Sequence, residues 1–414
     1  MHQSFIADHD ENEPLIAATI RIAALHGASA LSSRTIGEFA GVAPSAINYR
    51  YGSLEGLISQ AGLVADLTRE AAWQSRAARL DALSLRPEDF GPGVYSALRD
   101  HVVNCRGEEI LFWNEVIAGC RAARGPASAN GFEAEDVFWG KLLEGCGITR
   151  LPPQVMQCFA LAVRFAWMIF ETPEASDAWA FALVTRFADR ALGNSPASGG
   201  DSAWRRHAEA QAGLENAPTI PDHDTARRVI KATTDLIMSQ GVASVTHRSV
   251  AARAGLSASS VQHFFGSRQT LLLAAYRAIY SSARERTLRN ELPVGTLEAD
   301  RLFGEITSQN HADTRENAAA FAAMHGLILS ASQSDEMRPI AQALIARMGE
   351  ASMDILGALK RPRGTISRLD AQILSMTLGQ SVVRNLFLQP RSGTTGTDFS
   401  MEAHGTAIIR ALFV

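Results

Sequence analysis

Two short segments of the chain carry side chains suited to contacting a nucleic-acid duplex. In the first, Ser45, Ala46, Asn48, Tyr49 and Arg50 lie between or beside Ile47 and Tyr51. In the second, Ser257, Ser259, Ser260, Gln262 and His263 lie around Val261 and Phe265. A spacing of four places Ile47 with Tyr51, and Val261 with Phe265, on one helical face turned to a core. The remaining groups then face outward. Amide, hydroxyl and guanidinium groups hydrogen-bond to base edges, and small residues let a helix lie deep in a major groove. Arg34 and Arg248 stand in the first turn of the preceding helix, within reach of a phosphate, with Ser32 and Thr246 as its N-caps. His247 lies at the same exposed edge. Ser53 and Ser267 each follow a glycine and cap a further helix, whose free N–H groups suit a phosphate; Arg268 adds a cation there.

Both segments belong to one repeat. Leu15–Ala61 superimposes without a gap on Val229–Ala275 at an offset of 214, with 12 identical positions. Among these are Thr19/Thr233, Gly27/Gly241, Arg34/Arg248, Gly41/Gly255, Ser45/Ser259 and Gly52/Gly266. Such a long repeat is a duplicated domain and not a solenoid unit. Gly27 and Gly241 end the first helix of each copy, where a left-handed cap needs no Cβ. Ala40-Gly41-Val42 and Ala254-Gly255-Leu256 make the tight turn between two crossing helices, the glycines supplying the strained backbone.

The chain here resembles the TetR family of transcriptional regulators. The resemblance rests on Ile36 to Val42 with Ala46 to Ser53, and on Val245 to Ala251 with Val261 to Arg268. It implies a three-helix DNA-binding head, a connecting fourth helix, and a larger helical domain for ligand and dimer contacts. Where family members place a lysine after Gly-Ser, the second copy has Arg268 and the first has Leu54. The expected fold is all-α, with two tandem units forming a pseudo-dimer. The first head is expected over 12–61 with its helical domain over 62–193. A linker covers 194–223, the second head 224–275 and its helical domain 276–414. Residues 15–61 hold three arginines against two glutamates, and 229–275 hold four basic residues against one aspartate. Phosphate neutralisation supplies most non-specific affinity, so the second head is expected to bind DNA harder.

Helical periodicity dominates the 414 residues, punctuated by prolines and glycines, and lapses only in the Gly/Ser/Pro/Ala-rich linker. With net charge −4 the molecule is no polycation, so any DNA contact comes from local patches. The aromatic residues Trp113, Phe138, Trp139, Phe165 and Trp167, with Phe321, Met324 and His325 of the second half, could line an apolar effector pocket. Ordinary core packing explains the same residues. Cys158, Leu161, Ala162, Phe165 and Ile169 form one apolar stripe, and Ile373, Leu374, Thr377, Leu378, Ser381 and Val382 another. Together they make a four-helix bundle between the halves, or else core within each half. The four cysteines show no metal spacing, and no cofactor is expected. The polar, acidic start has no secretory h-region and no long apolar run exists, so a cytoplasmic protein is expected. There is no nucleophile elbow, phosphate-binding glycine loop or HExxH, which counts against an enzyme. The expected partners are a double-stranded DNA operator and a small-molecule effector, the regulator being a repressor. Three arrangements stay open: one chain with two working heads, a homodimer carrying four, or a chain whose first head contacts protein instead.

Overall fold

The structure is a computed structural model. It describes residues 14–122, 130–169, 173–194, 223–287, 292–309, 314–332, 334–388 and 401–414; most of the expected linker lies outside them. Their regular structure is all helical, with one isolated parallel bridge between Leu297 and Leu359 and no strand among them. In the first half α1 is Pro14–His26, α2 Ser33–Ala40, α3 Ser45–Tyr51 and α4 Leu54–Leu80. Then come α5 Phe90–Asn104, α6 Arg106–Ala122, α7 Asn130–Gly145, α8 Pro153–Trp167 and α9 Pro173–Leu192. The second half runs α10 Asp224–Gln240, α11 His247–Ala254, α12 Ala258–Phe265 and α13 Arg268–Thr287. It continues as α14 Ala299–Gln309, α15 Thr314–Ala331, α16 Arg338–Arg347, α17 Glu350–Gly357, α18 Arg368–Leu388 and α19 Met401–Leu412.

Helices α1–α3 and α10–α12 are built by the same local devices. In each, a threonine hydroxyl bonds back one turn inside the first helix, Thr19 to Leu15 O at 2.7 Å and Thr233 to Val229 O at 2.8 Å. Leu15, Ile22, Ile36 and Ile47 are fully or almost fully buried in the first head, as are Val229, Ile237, Val250 and Val261 in the second. A short 3-10 turn follows each first helix. Gly27 and Gly241 have positive φ (76° and 88°) but extended ψ of 171°, so they break the helix without the left-handed cap expected. Gly41 and Gly255 do take the left-handed conformation, at φ 69° and 64°.

The two halves meet along their C-terminal helices. The α8 stripe packs face to face on α18, α9 crosses α18 and α19, and α6 lies along α15. Asp370, at the start of α18, is the polar centre of this seam. Its Oδ1 accepts from Arg186 Nε and Arg190 Nε, both at 2.8 Å, and its Oδ2 from Arg190 Nη2 at 2.9 Å. Both guanidiniums also donate to Thr365 O, at 2.9 and 2.8 Å. Toward the other end of α18, Arg384 donates to both oxygens of Asp136 on α7, at 3.1 and 2.6 Å, and to Gln157 on α8. Between these pairs His325 is sandwiched against Phe165 and Phe321, with ring centroids at 4.9 and 3.6 Å. Its Nδ1 lies 2.9 Å from Phe321 O, and Gln380 Nε2 lies 3.0 Å from its Nε2. A neutral ring that donates from Nδ1 and accepts at Nε2 satisfies both contacts.

Burial therefore sets an acid limit on the fold. It holds the His325 ring down to about 3, against the pull of the Phe321 carbonyl. His101 is held at about 3 by burial and by Arg164, outweighing Glu109. Burial alone would raise the Asp370 carboxyl, but the hydrogen bonds from Arg186 and Arg190 hold it at about 2. The unfolded chain protonates its histidines near 6.5, where the folded chain does not. Stability is thus complete above that pH and falls as the pH drops toward 3, by roughly 1.4 kcal/mol per unit for each histidine. Thermal melts should show a midpoint that declines steadily below about pH 6.5; a flat profile down to about pH 4.5 contradicts the buried neutral rings.

Candidate nucleic-acid interface

Each head presents a short helix whose inner face is fixed by the core. Ile47 of α3 and Val261 of α12 are fully buried, and Phe265 nearly so, while Tyr51 is half-buried. Ser45, Asn48, Tyr49 and Arg50 face solvent in the first head, and Tyr49 is 91% exposed. Ser257, Ser259, Gln262 and His263 do so in the second, with Ala46 and Ser260 half-buried. The structure thus brings the expected base-reading residues onto one exposed face in each head.

The expected caps are occupied by the helices themselves. Ser32 Oγ accepts from Thr35 N at 3.1 Å and Thr246 Oγ1 from Ser249 N at 3.0 Å, each within a reciprocal capping box. Ser53 caps α4 through Gly56 N at 3.0 Å, Ser267 caps α13 through Thr270 N at 3.1 Å, and Ser257 caps α12 through Ser260 N at 3.1 Å. A capping hydroxyl retains one proton, so a phosphate contact from these serines comes through that hydrogen or the neighbouring backbone N–H groups.

The arginines differ between the heads. Arg34 donates to Glu38 at 2.8 Å one turn along α2, and both side chains are exposed. At the equivalent position of the second head stands Ala252, and no partner for the exposed Arg248 is found among the described residues. Arg228 extends the basic side of the second head and donates to Ala254 O at 2.7 Å, tying α10 to the end of α11. His247 is half-buried at the start of α11. Arg268 also bonds within the protein. Its Nε donates to Val245 O at 2.8 Å and its Nη2 to Val242 O at 3.0 Å, while Nη1 meets Glu336 at 3.0 Å. In this arrangement it clamps the second head to the loop before α16 with three of its five N–H groups. Sequence reasoning missed this because both acceptor carbonyls and Glu336 are distant in the chain.

The residues expected around an apolar pocket are packed on one another. Trp113 stacks on Phe165 with centroids at 4.0 Å and on His325 at 5.2 Å, and Phe321 covers the other face of that histidine. Phe138 and Trp139 pack on each other and on Trp73, Trp167 packs on Tyr95, and Met324 lies half-buried against the same core. These side chains pack ring on ring in the core. Buried among them is an ionic cluster that periodicity could not reveal. Arg164 donates to Glu135 at 2.5 and 3.1 Å, Trp139 Nε1 donates to Glu135 at 2.9 Å, and Trp113 Nε1 to Glu109 at 3.1 Å. His101 Nε2 lies 2.9 Å from Glu109, and Arg69 rests over the Phe112 ring at 4.0 Å. A small cleft reaches this cluster from the surface between α4 and α6, bounded by Asp66, Arg69, Phe112 and Glu115. Cys105, Cys146 and Cys158 are buried free thiols, and burial pushes the Cys158 thiol up to about 12. No group of metal-ligating side chains occurs among the described residues.

Residues 229–275 match the bacterial regulatory proteins of the tetR family. The second head is a TetR-type helix-turn-helix. A stretch of 93 residues is 34% identical to the HTH-type transcriptional regulator BetI of Stenotrophomonas maltophilia (strain R551-3), covering 22% of this chain. That stretch covers 47% of BetI, so the chain spans about half the length of that relative. Together these similarities support a TetR-family, DNA-binding regulator. No helix among the described residues is long and apolar enough to cross a membrane.

The charge difference between the heads has a direct test. Arg248→Ala should weaken operator binding by about tenfold and lower the salt slope by about one, whereas Arg34→Ala, already paired with Glu38, should cost less. Glu38→Ala, which releases Arg34, should strengthen binding. Equal losses for the two arginine variants in band-shift titrations contradict the difference.

Proposed function

We propose that the chain is a sequence-specific transcriptional repressor that sets two non-identical heads on adjacent half-sites and is released by a small molecule. The observation that carries this reading is the recurrence, 214 residues apart, of the same caps, threonine back-bonds and left-handed glycines around two exposed recognition faces. The unit over 12–193 and the unit over 224–414 then stand as a covalent pseudo-dimer joined by 194–223. Heads related by such an arrangement address major-groove segments one helical turn apart, ~34–36 Å, or a multiple of it. Since Asn48, Tyr49 and Arg50 face Gln262, His263 and Phe264 at equivalent positions, the two half-sites differ in sequence. The compartment consistent with this role is the cytoplasm.

Helix α6 offers the route for release. Phe112 and Glu115 bound the cleft, while at the other end Gly107 lies so close to α1 that a Cβ there would stand 2.5 Å from Ile20 O. Arg106 Nε adds a bond to Ala24 O at 3.3 Å. A small-molecule effector favouring a shifted α6 would carry the first head with it and draw the population away from operator.

A second reading keeps DNA contact for the second head alone. It is favoured by the Arg34–Glu38 pair and by Phe39, half-exposed where the second head carries Arg253. Footprinting the full chain separates the two. Protection of two unlike half-sites, with one lost in Arg34→Ala and the other in Arg248→Ala, supports the first reading. Protection of a single half-site that survives Arg34→Ala supports the second.

A further inference from the structure

We propose that the Arg186/Arg190–Asp370 and Arg384–Asp136 pairs restrict the dimerisation-like face of each half to the other half of the same chain, so that the protein works as a single chain and no second copy pairs on that face. The proposal rests on the two-unit reading but not on DNA binding.

The charges across the seam are distributed so that neither half can pair with its own kind. Two buried guanidiniums, Arg186 and Arg190, project from α9 of the first half onto α18 of the second. The helix that a second first-half copy would offer them is α8, whose sequence PQVMQCFALAVRFAW contains no aspartate or glutamate. Pairing two first halves therefore leaves both arginines buried against an apolar surface. The opposite homotypic pairing fails as well. There Asp370 would meet α19, whose basic groups are His404 and Arg410. Burial and the nearby Arg384 hold His404 down to about 4, so it is neutral. Arg410 is exposed and bound to Asp300. Asp370 would lose its guanidinium donors and remain buried.

Magnitudes decide between the pairings. Stripping one partner from a buried ion pair costs far more than the pair itself contributes, because the remaining charge stays desolvated. The apolar stripes of α8 and α18 are similar enough to associate in any combination, since burial of apolar surface has no directional preference. The charged pairs supply the discrimination that the stripes lack, by penalising the wrong partner. An isologous homodimer face must be self-complementary, with the same residues on both sides. This seam sets Arg186 and Arg190 of the first half against Asp370 of the second, and Asp136 of the first half against Arg384 of the second, so its two sides carry different residues.

The test uses the full chain held well above pH 6, because burial pushes the Asp136 carboxyl up to about 6 against the pull of Arg384. Light scattering coupled to size exclusion should give the mass of one chain, 44.5 kDa, over a wide range of concentration. Asp136→Arg and Arg384→Asp should each lower the thermal midpoint by about 3–5 °C and introduce concentration-dependent association. The swapped double variant should regain most of the midpoint and the single-chain mass. Asp370→Arg, which sets three cations together, should be the most severe, and a failure of that variant to fold leaves the Asp136/Arg384 swap as the deciding measurement. A wild-type mass of two chains, including a domain-swapped pair, overturns the proposal. So do single variants that match the wild type in mass and midpoint, or a double variant that is worse than either single. An absence of operator binding would sink the regulator reading and leave these outcomes unchanged.

Discussion

Asp370, held between Arg186 and Arg190, is the contact around which the two halves are arranged. Its carboxylate receives donors from two successive turns of α9, from the Ser367 backbone and from the Ser367 hydroxyl at the start of its own helix. A carboxylate so buried is tolerable only with its lone pairs filled. The position of α9 relative to α18 is therefore set within a narrow range, and the apolar faces of α8, α18 and α19 close around it. The aromatic stack of Trp113, Phe165, His325 and Phe321 follows from that register, since its members come from both halves.

Each head is attached to this body in its own way. The first lies on α6 through a glycine contact with almost no clearance, reinforced by Arg106. The second lies on α15, and Arg268 bridges it to Glu336. A backbone-to-backbone contact transmits displacement directly, whereas a half-exposed ion pair yields to solvent and salt. The heads thus differ in mechanical coupling as well as in charge, although their internal construction is the same.

The first half also carries the buried cluster of Arg69, His101, Glu109, Glu135 and Arg164, for which the described residues of the second half show no counterpart of similar charge. Divergence of this kind is open to two linked copies and closed to a homodimer, where every change appears on both sides.

Much of the heads was legible in the sequence because their structure is local. A serine or threonine three residues before a hydroxyl partner makes a capping box, a glycine in a three-residue turn permits a left-handed backbone, and residues four apart share a helical face. Ser32, Thr246, Gly41, Gly255, Ile47 and Val261 could be placed from spacing alone, as could the helix boundaries around them. Gly27 and Gly241 mark helix ends in the sequence, but their conformation depends on the 3-10 turn that follows. The pairing of Arg34 with Glu38 was available from their i, i+4 spacing. What the sequence could not determine was any side chain whose partner is remote. Arg268 bonds to Val242 O, Val245 O and Glu336, and Trp113, Phe165, His325 and Phe321 stack on one another across the two halves. Asp370 found two arginines roughly 180 positions away. Helix formation and capping are decided within a few residues of backbone, but where a buried charge finds its counter-charge is decided only when separate helices pack and exclude water.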